Sequence, residues 1–251
     1  MKWFSGSQKS NSLGGKKDVP LEVLELLKNG LTIQWCKDTR SYKKLIPALS
    51  EYPKDIIVTA DDDIYYPTHW LELLYAAFQK KPRSVHCHRA HGMAWGEGGE
   101  LLPYAQWRQC VCNIRPSFSN FFTGSGGVLY PPQCLHEDVF HEALFNRIAA
   151  SNDDIWFWAM AVRNKTKINV IKDNIKDLVY INPERELGVG GERTLGQINN
   201  SQKQNDSQLD RLFDYYPEVK TILKAELKEK EKAGLWGWFW SRRRFDPQWY
   251  L

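Results

Sequence analysis

The sequence predicts an α/β fold, a sheet flanked by helices, followed by a C-terminal helix and tail. Three observations carry this. Ile56-Ile57-Val58-Thr59-Ala60 is a continuous apolar, β-branched run, the composition of a strand at the centre of a sheet covered on both faces. Pro67 and Thr68 then open an amphipathic stretch to Lys80, with Trp70, Leu71, Leu74, Ala77 and Phe78 on one stripe. Residues 84–88 read as another short strand. Strand, helix and strand in that order predict a largely parallel sheet.

The other elements follow along the chain. Residues 1–19 are polar and without periodicity, a loop or frayed terminus. Pro20 starts a short helix with Leu21, Leu24 and Leu27 on one side and Gly30 as its stop. Leu31, Ile33 and Trp35 alternate with polar residues, which predicts a strand with one buried face. Residues 42–49 are helical, made short or bent by Pro47. Residues 92–116 are irregular, and Gly124-Ser125-Gly126-Gly127 is a tight loop leading into Val128-Leu129-Tyr130. Ser151 is a helix cap, residues 196–210 are loop, and residues 218–232 form a charged helix. These elements divide into a domain over 1–215 and a helix with an aromatic and basic tail over 216–251.

The formal net charge of the 251 residues is +4, too modest and too scattered for a nucleic-acid binder. It leaves a phosphate-bearing small molecule or an anionic membrane surface as partners. Cys36, Cys87, Cys110, Cys112 and Cys134 are odd in number and contain no Cys-x-x-Cys pair, which points to a reducing compartment. The N-terminus turns polar too early for a signal peptide, and no apolar run reaches the length of a membrane span. The expectation is a cytoplasmic protein.

Asp61, Asp62 and Asp63 follow the apolar strand directly. In open α/β sheets, ligands bind at the carboxyl ends of strands. Strand alternation would point Asp61 and Asp63 one way and Asp62 the other. Two carboxylates on one side suit a hard divalent cation, Mn2+ or Mg2+. The competing reading is a solvated acidic turn ahead of the Pro67 helix. A dehalogenase-type phosphatase would want Thr or Val where Tyr65 stands, which ranks that chemistry lower.

The remaining candidates each have two readings. Arg40, Lys43 and Lys44 are either phosphate contacts or a solvated helix face. The glycine loop lacks the Gly-Lys-Ser/Thr of a P-loop; its glycines, Gly126 and Gly127 among them, either let a sugar approach the backbone or make a plain turn. Ser151-Asn152-Asp153-Asp154 has the form of a capping box. His86, Cys87, His88, His91, Cys110 and Cys112 lack zinc-finger spacing, which favours core packing and polar roles over zinc. Trp236, Trp238, Phe239 and Trp240 beside Arg242, Arg243 and Arg244 are either an interfacial anchor or aromatics packed back on the domain.

Four segments together resemble a bacterial family of GT-A-fold glycosyltransferases of surface-polysaccharide assembly. They are Arg40-Ser41-Tyr42-Lys43-Lys44-Leu45-Ile46-Pro47, Ile57-Val58-Thr59-Ala60-Asp61-Asp62-Asp63-Ile64, Cys87-His88-Arg89-Ala90-His91, and Gly124-Ser125-Gly126-Gly127-Val128-Leu129-Tyr130-Pro131-Pro132. The resemblance covers residues 18–205 and implies a GT-A-like, Rossmann-like mixed sheet flanked by helices. It implies a nucleotide-diphosphate sugar as donor, held by Arg40, Lys43, Lys44, Asp61, Asp62, Gly126 and Gly127. Mn2+ or Mg2+ would sit at Asp61 and Asp63, and a hydroxyl of a glycan or lipid-linked acceptor would receive the sugar. An acidic pair at a helix start supplies the base in such enzymes. Here that pair is Asp153 and Asp154, with Asp154, the second member, favoured and held ionised by the helix N-terminus. The family also carries a nucleotide-binding strand, helix and strand ahead of the part seen here, so weak donor affinity and low turnover are expected of this chain alone. A catalytically silent, glycosyltransferase-like binding subunit and a metal-dependent phosphohydrolase are the other readings. The tail would add peripheral contact with the inner face of the membrane.

Overall fold

The apolar run at residues 56–60 does form a strand, β1 (Ile57–Thr59), but at the edge of its sheet. The computed structural model describes residues 19–232 apart from 113, 176 and 187–203. Along these residues come α1 (Leu21–Glu25), α2 (Ile46–Glu51), β1, β2 (Ile64–Tyr65), α3 (Trp70–Lys80), β3 (Val85–Cys87), β4 (Ala90–Gly92), β5 (Asn120–Phe122) and β6 (Val128–Tyr130). They are followed by α4 (Glu142–Ile148), α5 (Asp153–Arg163), β7 (Ile168–Val170), β8 (Val179–Tyr180), α6 (Pro183–Glu186), α7 (Gln204–Tyr215) and α8 (Pro217–Lys232).

The main sheet has the order β1-β6-β3-β7. β6 runs antiparallel to both β1 and β3, while β3 and β7 are parallel. The sheet is therefore mixed. β1, β3 and β7 share one direction, as the strand–helix–strand order predicts, and β6 is inserted between the first two. Within this sheet the strands buried along their whole length are β3, β6 and β7, not β1. β1 has only β6 as a ladder partner among the described residues, and Ile56 beside it is exposed. Residues 31–35 join no ladder; with Trp35 half exposed, their alternation is not used to bury a face.

α5 is the hub of the core. Residues 155–162 are buried without exception, including Trp156, Phe157 and Trp158. A helix apolar on every side belongs in the middle of a domain. Pro47 lies in the first turn of α2, where a missing N–H costs nothing, so it starts that helix and does not bend it. Gly30, at φ 91°, ends the 3-10 turn Leu26–Asn29 that follows α1.

The stretch expected as loop at 196–210 differs most. From Gln204 it is helix, and Asn205 and Gln208 are buried. Asn205 Oδ1 accepts from Asn152 Nδ2 at 2.9 Å, and the Gln208 amide bonds Ser151 through both its oxygen and its nitrogen. The amides that look like loop composition are the glue between α7 and the start of α5. α8, expected as an appendage, adds Val219 and Leu223 to the main core. No described helix is long and apolar enough to cross a membrane. The aromatic and basic tail from Trp236 onward lies outside the described residues, as does the segment up to residue 18.

Candidate functional site

The sheet register decides what meets. Val128 at the start of β6 stands opposite both Thr59 at the end of β1 and Cys87 at the end of β3. The residues after β1, those after β3 and the glycine turn before β6 therefore share one edge. They are Asp61, Arg89 and the 3-10 turn Gly124–Gly126. The first turn of α5 comes to the same edge: Asp154 Oδ1 accepts the Gly124 N–H at 3.0 Å.

Lys44 joins them. Its Nζ lies 2.9 Å from Asp61 Oδ1 and 3.6 Å from Asp153 Oδ2. Its root is fixed by the fully buried neighbours Tyr42 and Leu45; the Tyr42 hydroxyl donates to Ala149 O at 2.7 Å. The other two cations of the segment turn elsewhere. Arg40 Nη1 donates to Ala150 O at 3.1 Å, and Lys43 pairs with Asp38 at 2.9 Å. The cause is local. Residues Arg40–Lys44 form a 3-10 turn, in which positions three apart eclipse, so Arg40 and Lys43 share a face that Lys44 does not.

The acidic triplet is not a strand extension. The β1 ladder stops at Thr59, and Asp62 and Asp63 lie in a turn before β2, so strand alternation does not set their directions. Asp61 faces Lys44, Asp62 is exposed, and Asp63 is half-buried with its carbonyl accepting from Ile181 N at 2.8 Å. Tyr66 ties this turn to the glycines: its hydroxyl accepts from Asp61 N at 2.9 Å and donates to Ser125 O at 2.8 Å.

The glycines divide by role. A Cβ on Gly124 would stand 2.8 Å from Asp154 Oδ1 and 3.2 Å from Lys44 Nζ, so that glycine opens room at the acids. Gly126 and Gly127 make room for this chain instead. A Cβ there would press on Arg89 and on the Trp70 ring, and Gly127 also has φ 91°. The Trp70 indole N–H takes the Gly126 carbonyl at 2.9 Å. Arg89, which bonds Thr123 Oγ1 at 2.9 Å, and Tyr66 were passed over by the sequence reading, because neither is an acid nor lies in a glycine motif.

The capping box at α5 does not form. Asn152 caps the helix, accepting from Ile155 N at 3.3 Å, and Ser151 bonds Gln204 and Gln208. That frees Asp154 for Gly124. Its ionisation also departs from expectation. Burial, then the charge of Asp153, outweigh Lys44 and the Gly124 N–H, and the carboxyl is pushed up to about 7. The helix N-terminus does not hold it low. Lys44 is the mirror case. Burial opposes its charge, but Asp153, Asp61 and Asp154 hold its ammonium well above the ordinary lysine range. Asp153 Oδ2 is shut off from water and has no hydrogen-bond partner.

For a divalent cation, the donor set is hard oxygen from Asp61 and Asp63. Among the described residues no group of three or more His, Cys, Asp or Glu could hold a metal ion, so the chain would supply at most two carboxylates and leave other positions to water and substrate phosphate. Mg2+ is commonly bound that way. Lys44 stands on Asp61, yet the orphaned Asp153 oxygen offers it a second seat, which would leave the Asp61 carboxylate open to the group.

His86, His88 and His91 each bond the backbone of this chain. His86 Nε2 bonds Lys81 O at 3.0 Å, His88 Nε2 bonds Trp70 O at 2.9 Å, and His91 Nδ1 accepts from Cys110 N at 3.1 Å. Burial lowers them to about 4, about 4 and about 3. Searches against protein-family models and against curated proteins find no match.

Proposed function

We propose that this chain carries the reaction centre of a glycosyltransferase moving a sugar from a nucleotide-diphosphate donor to a hydroxyl of a cell-surface glycan or lipid-linked acceptor. The observation that carries it is the meeting of Asp61, Asp153 and Asp154 around the Lys44 ammonium, beside the glycine turn at the carboxyl ends of β1 and β3. One cation among three acids is the charge balance of a site built to gain positive charge.

Asp154 takes the proton from the acceptor hydroxyl. A base with a pKa near the working pH is partly ionised and still basic enough to accept a proton. Gly124 N–H fixes one oxygen of that carboxylate, which sets its orientation. Asp153 adds the negative charge that raises the basicity of Asp154. Asp61 and Asp63 would hold Mn2+ or Mg2+, which offsets the charge of the departing diphosphate. Lys44, paired with Asp61, is a protein cation for the same phosphates.

A binding subunit without turnover is the second reading, favoured by the Lys44–Asp61 pair, which occupies a carboxylate the cation needs. Incubation with a labelled nucleotide sugar and Mn2+, with and without acceptor glycans, separates the readings. Transfer only with acceptor supports the transferase. Bound but uncleaved donor supports the subunit, and acceptor-independent phosphate release would mean a phosphohydrolase.

A further inference from the structure

Lys44 is placed between two seats. Its Nζ makes a hydrogen-bonded ion pair with Asp61 at 2.9 Å, and Asp153 Oδ2 lies 3.6 Å away, outside hydrogen-bond reach. That oxygen belongs to a residue only 8% exposed and is a buried acceptor with nothing donating to it. A buried acceptor left unmet is costly, and more so when charged. Closing the gap needs a movement smaller than one bond length. The path is open because residue 124 has no side chain; a Cβ there would crowd the ammonium at 3.2 Å. The root of the side chain cannot follow, since Tyr42 and Leu45 on either side of its segment are fully buried. The side chain is 24% exposed, and its ammonium end is the part that can move.

We propose that Lys44 is a transferable counter-ion: its ammonium closes Asp61 when no other cation is present, and passes to Asp153 when a divalent cation takes Asp61. This rests on the reading of Asp61 as a cation ligand. Two consequences follow from charge alone. Cation binding at Asp61 competes with Lys44, and that competition is eased by Asp153, a residue that does not ligate the cation. Arrival of the cation also delivers a proton donor to the orphaned oxygen of Asp153, so occupation of the ligand site settles the acidic pair. Arg40 and Lys43 cannot take this part, since they face Ala150 and Asp38.

The test is a Mn2+ titration of the full chain followed by electron paramagnetic resonance, with Asp61→Asn, Lys44→Gln, Asp153→Asn and the Lys44→Gln/Asp153→Asn double variant. Lys44→Gln should bind Mn2+ about tenfold more tightly than the unaltered chain, and Asp153→Asn several-fold more weakly. In the Lys44→Gln background, Asp153→Asn should add nothing, because no lysine is left to reseat. Lys44→Gln binding no tighter, or an Asp153→Asn effect equal in both backgrounds, overturns the transfer. Mn2+ binding that survives Asp61→Asn sinks the ligand reading of Asp61 itself, which is a separate failure. Should Lys44→Gln not fold, the unaltered chain and Asp153→Asn still decide the matter. The 15N resonance of the Lys44 ammonium should move on addition of Mg2+ in the first, and only at several-fold higher Mg2+ in the second. An unmoved resonance in the unaltered chain overturns the proposal.

Discussion

Desolvation works against the charge of both Glu226 and Asp154, and their other surroundings push the two acids in opposite directions. Glu226, on α8, is 4% exposed. Ser117 Oγ donates to it at 2.6 Å, Phe118 N at 3.1 Å and Lys230 Nζ at 3.1 Å, with Lys167 at 3.6 Å. Burial works against its charge, but Lys230, Ser117 and the Phe118 N–H outweigh it and hold the carboxyl below the usual range. At the sheet edge, Lys44 serves several acids, one oxygen of Asp153 is unmet, and Asp154 is pushed up. A saturated buried carboxylate is a rivet. An unsaturated one stores a demand that a ligand or a proton can meet.

The contrast predicts a clean separation of activity from stability. Asp154→Asn should cut turnover by about 10²–10⁴-fold, the usual worth of a general base. It should leave the thermal midpoint unchanged or higher, because the amide oxygen still accepts from Gly124 while the repulsion with Asp153 is gone. Turnover kinetics and a melting curve on the same preparation check both halves; a chain that no longer folds would place Asp154 among the rivets.

Glu226→Ala should do the reverse. Removing one partner from a buried, bonded ion pair costs about 3–5 kcal/mol, so a denaturant titration should show a large loss. Donor binding at a permissive temperature should hold, since Glu226 bonds to Ser117, Phe118 and Lys230 and not to the residues around Lys44 and Gly124. A donor-binding loss matching the loss of stability would mean that α8 reaches the site after all.

The same contrast has a pH signature. Asp154 keeps, in the folded chain, a proton that the unfolded chain releases, so its contribution is full at acid pH and is lost as pH rises through about 7. Glu226 is lowered, so its contribution is present above the ordinary glutamate range and lost as pH falls through its depressed pKa. The buried His86, His88 and His91, lowered to about 4, 4 and 3, add to that acid-side loss below the usual histidine range. Relative to the unaltered chain, Asp154→Asn should gain stability by about 1.4 kcal/mol per pH unit on going from pH 5 to 7. Parallel stability–pH curves for the two chains would show that Asp154 is not raised.

Much of this site was legible in the sequence. A β-branched run ending in acids, a glycine turn and a helix opening on Asp153 and Asp154 are local patterns, and sheet register brings local patterns to one edge. What could not be read was non-local. That Lys44 and not Lys43 meets the acids depends on a 3-10 turn, which periodicity at this length does not separate from an α-helix. That Gly126 and Gly127 serve Arg89 and Trp70 depends on contacts across 37 and 57 residues of chain that no spacing rule encodes. β1 looked central because its composition is central; its edge position comes from the insertion of β6, about 70 residues later. The loop expected over Gln204 and Asn205 failed because polarity was read as exposure, whereas those amides bond the start of α5.

The smallest effect is predicted for Asp62, and it sharpens the comparison because it tests geometry within a single run of like charges. Strand alternation would set Asp62 apart and make Asp61 and Asp63 equivalent. In the turn that the chain adopts, Asp62 is exposed, Asp63 is half-buried, and Asp61 alone of the three is ion-paired with Lys44. Exposed substitutions away from a bonded network stay within about 0.5 kcal/mol. Asp62→Asn should therefore shift Mn2+-dependent binding of a nucleotide-diphosphate sugar by no more than about twofold, the binding equivalent of that energy. Asp61→Asn should remove most of it, because it takes away a ligand and leaves Lys44 with Asp153 and Asp154. Calorimetric titration of the three single variants orders them. Equal losses at all three positions would mean that the triplet acts as a diffuse negative field, and the assignment of one carboxylate to Lys44 and its rival cation would fall.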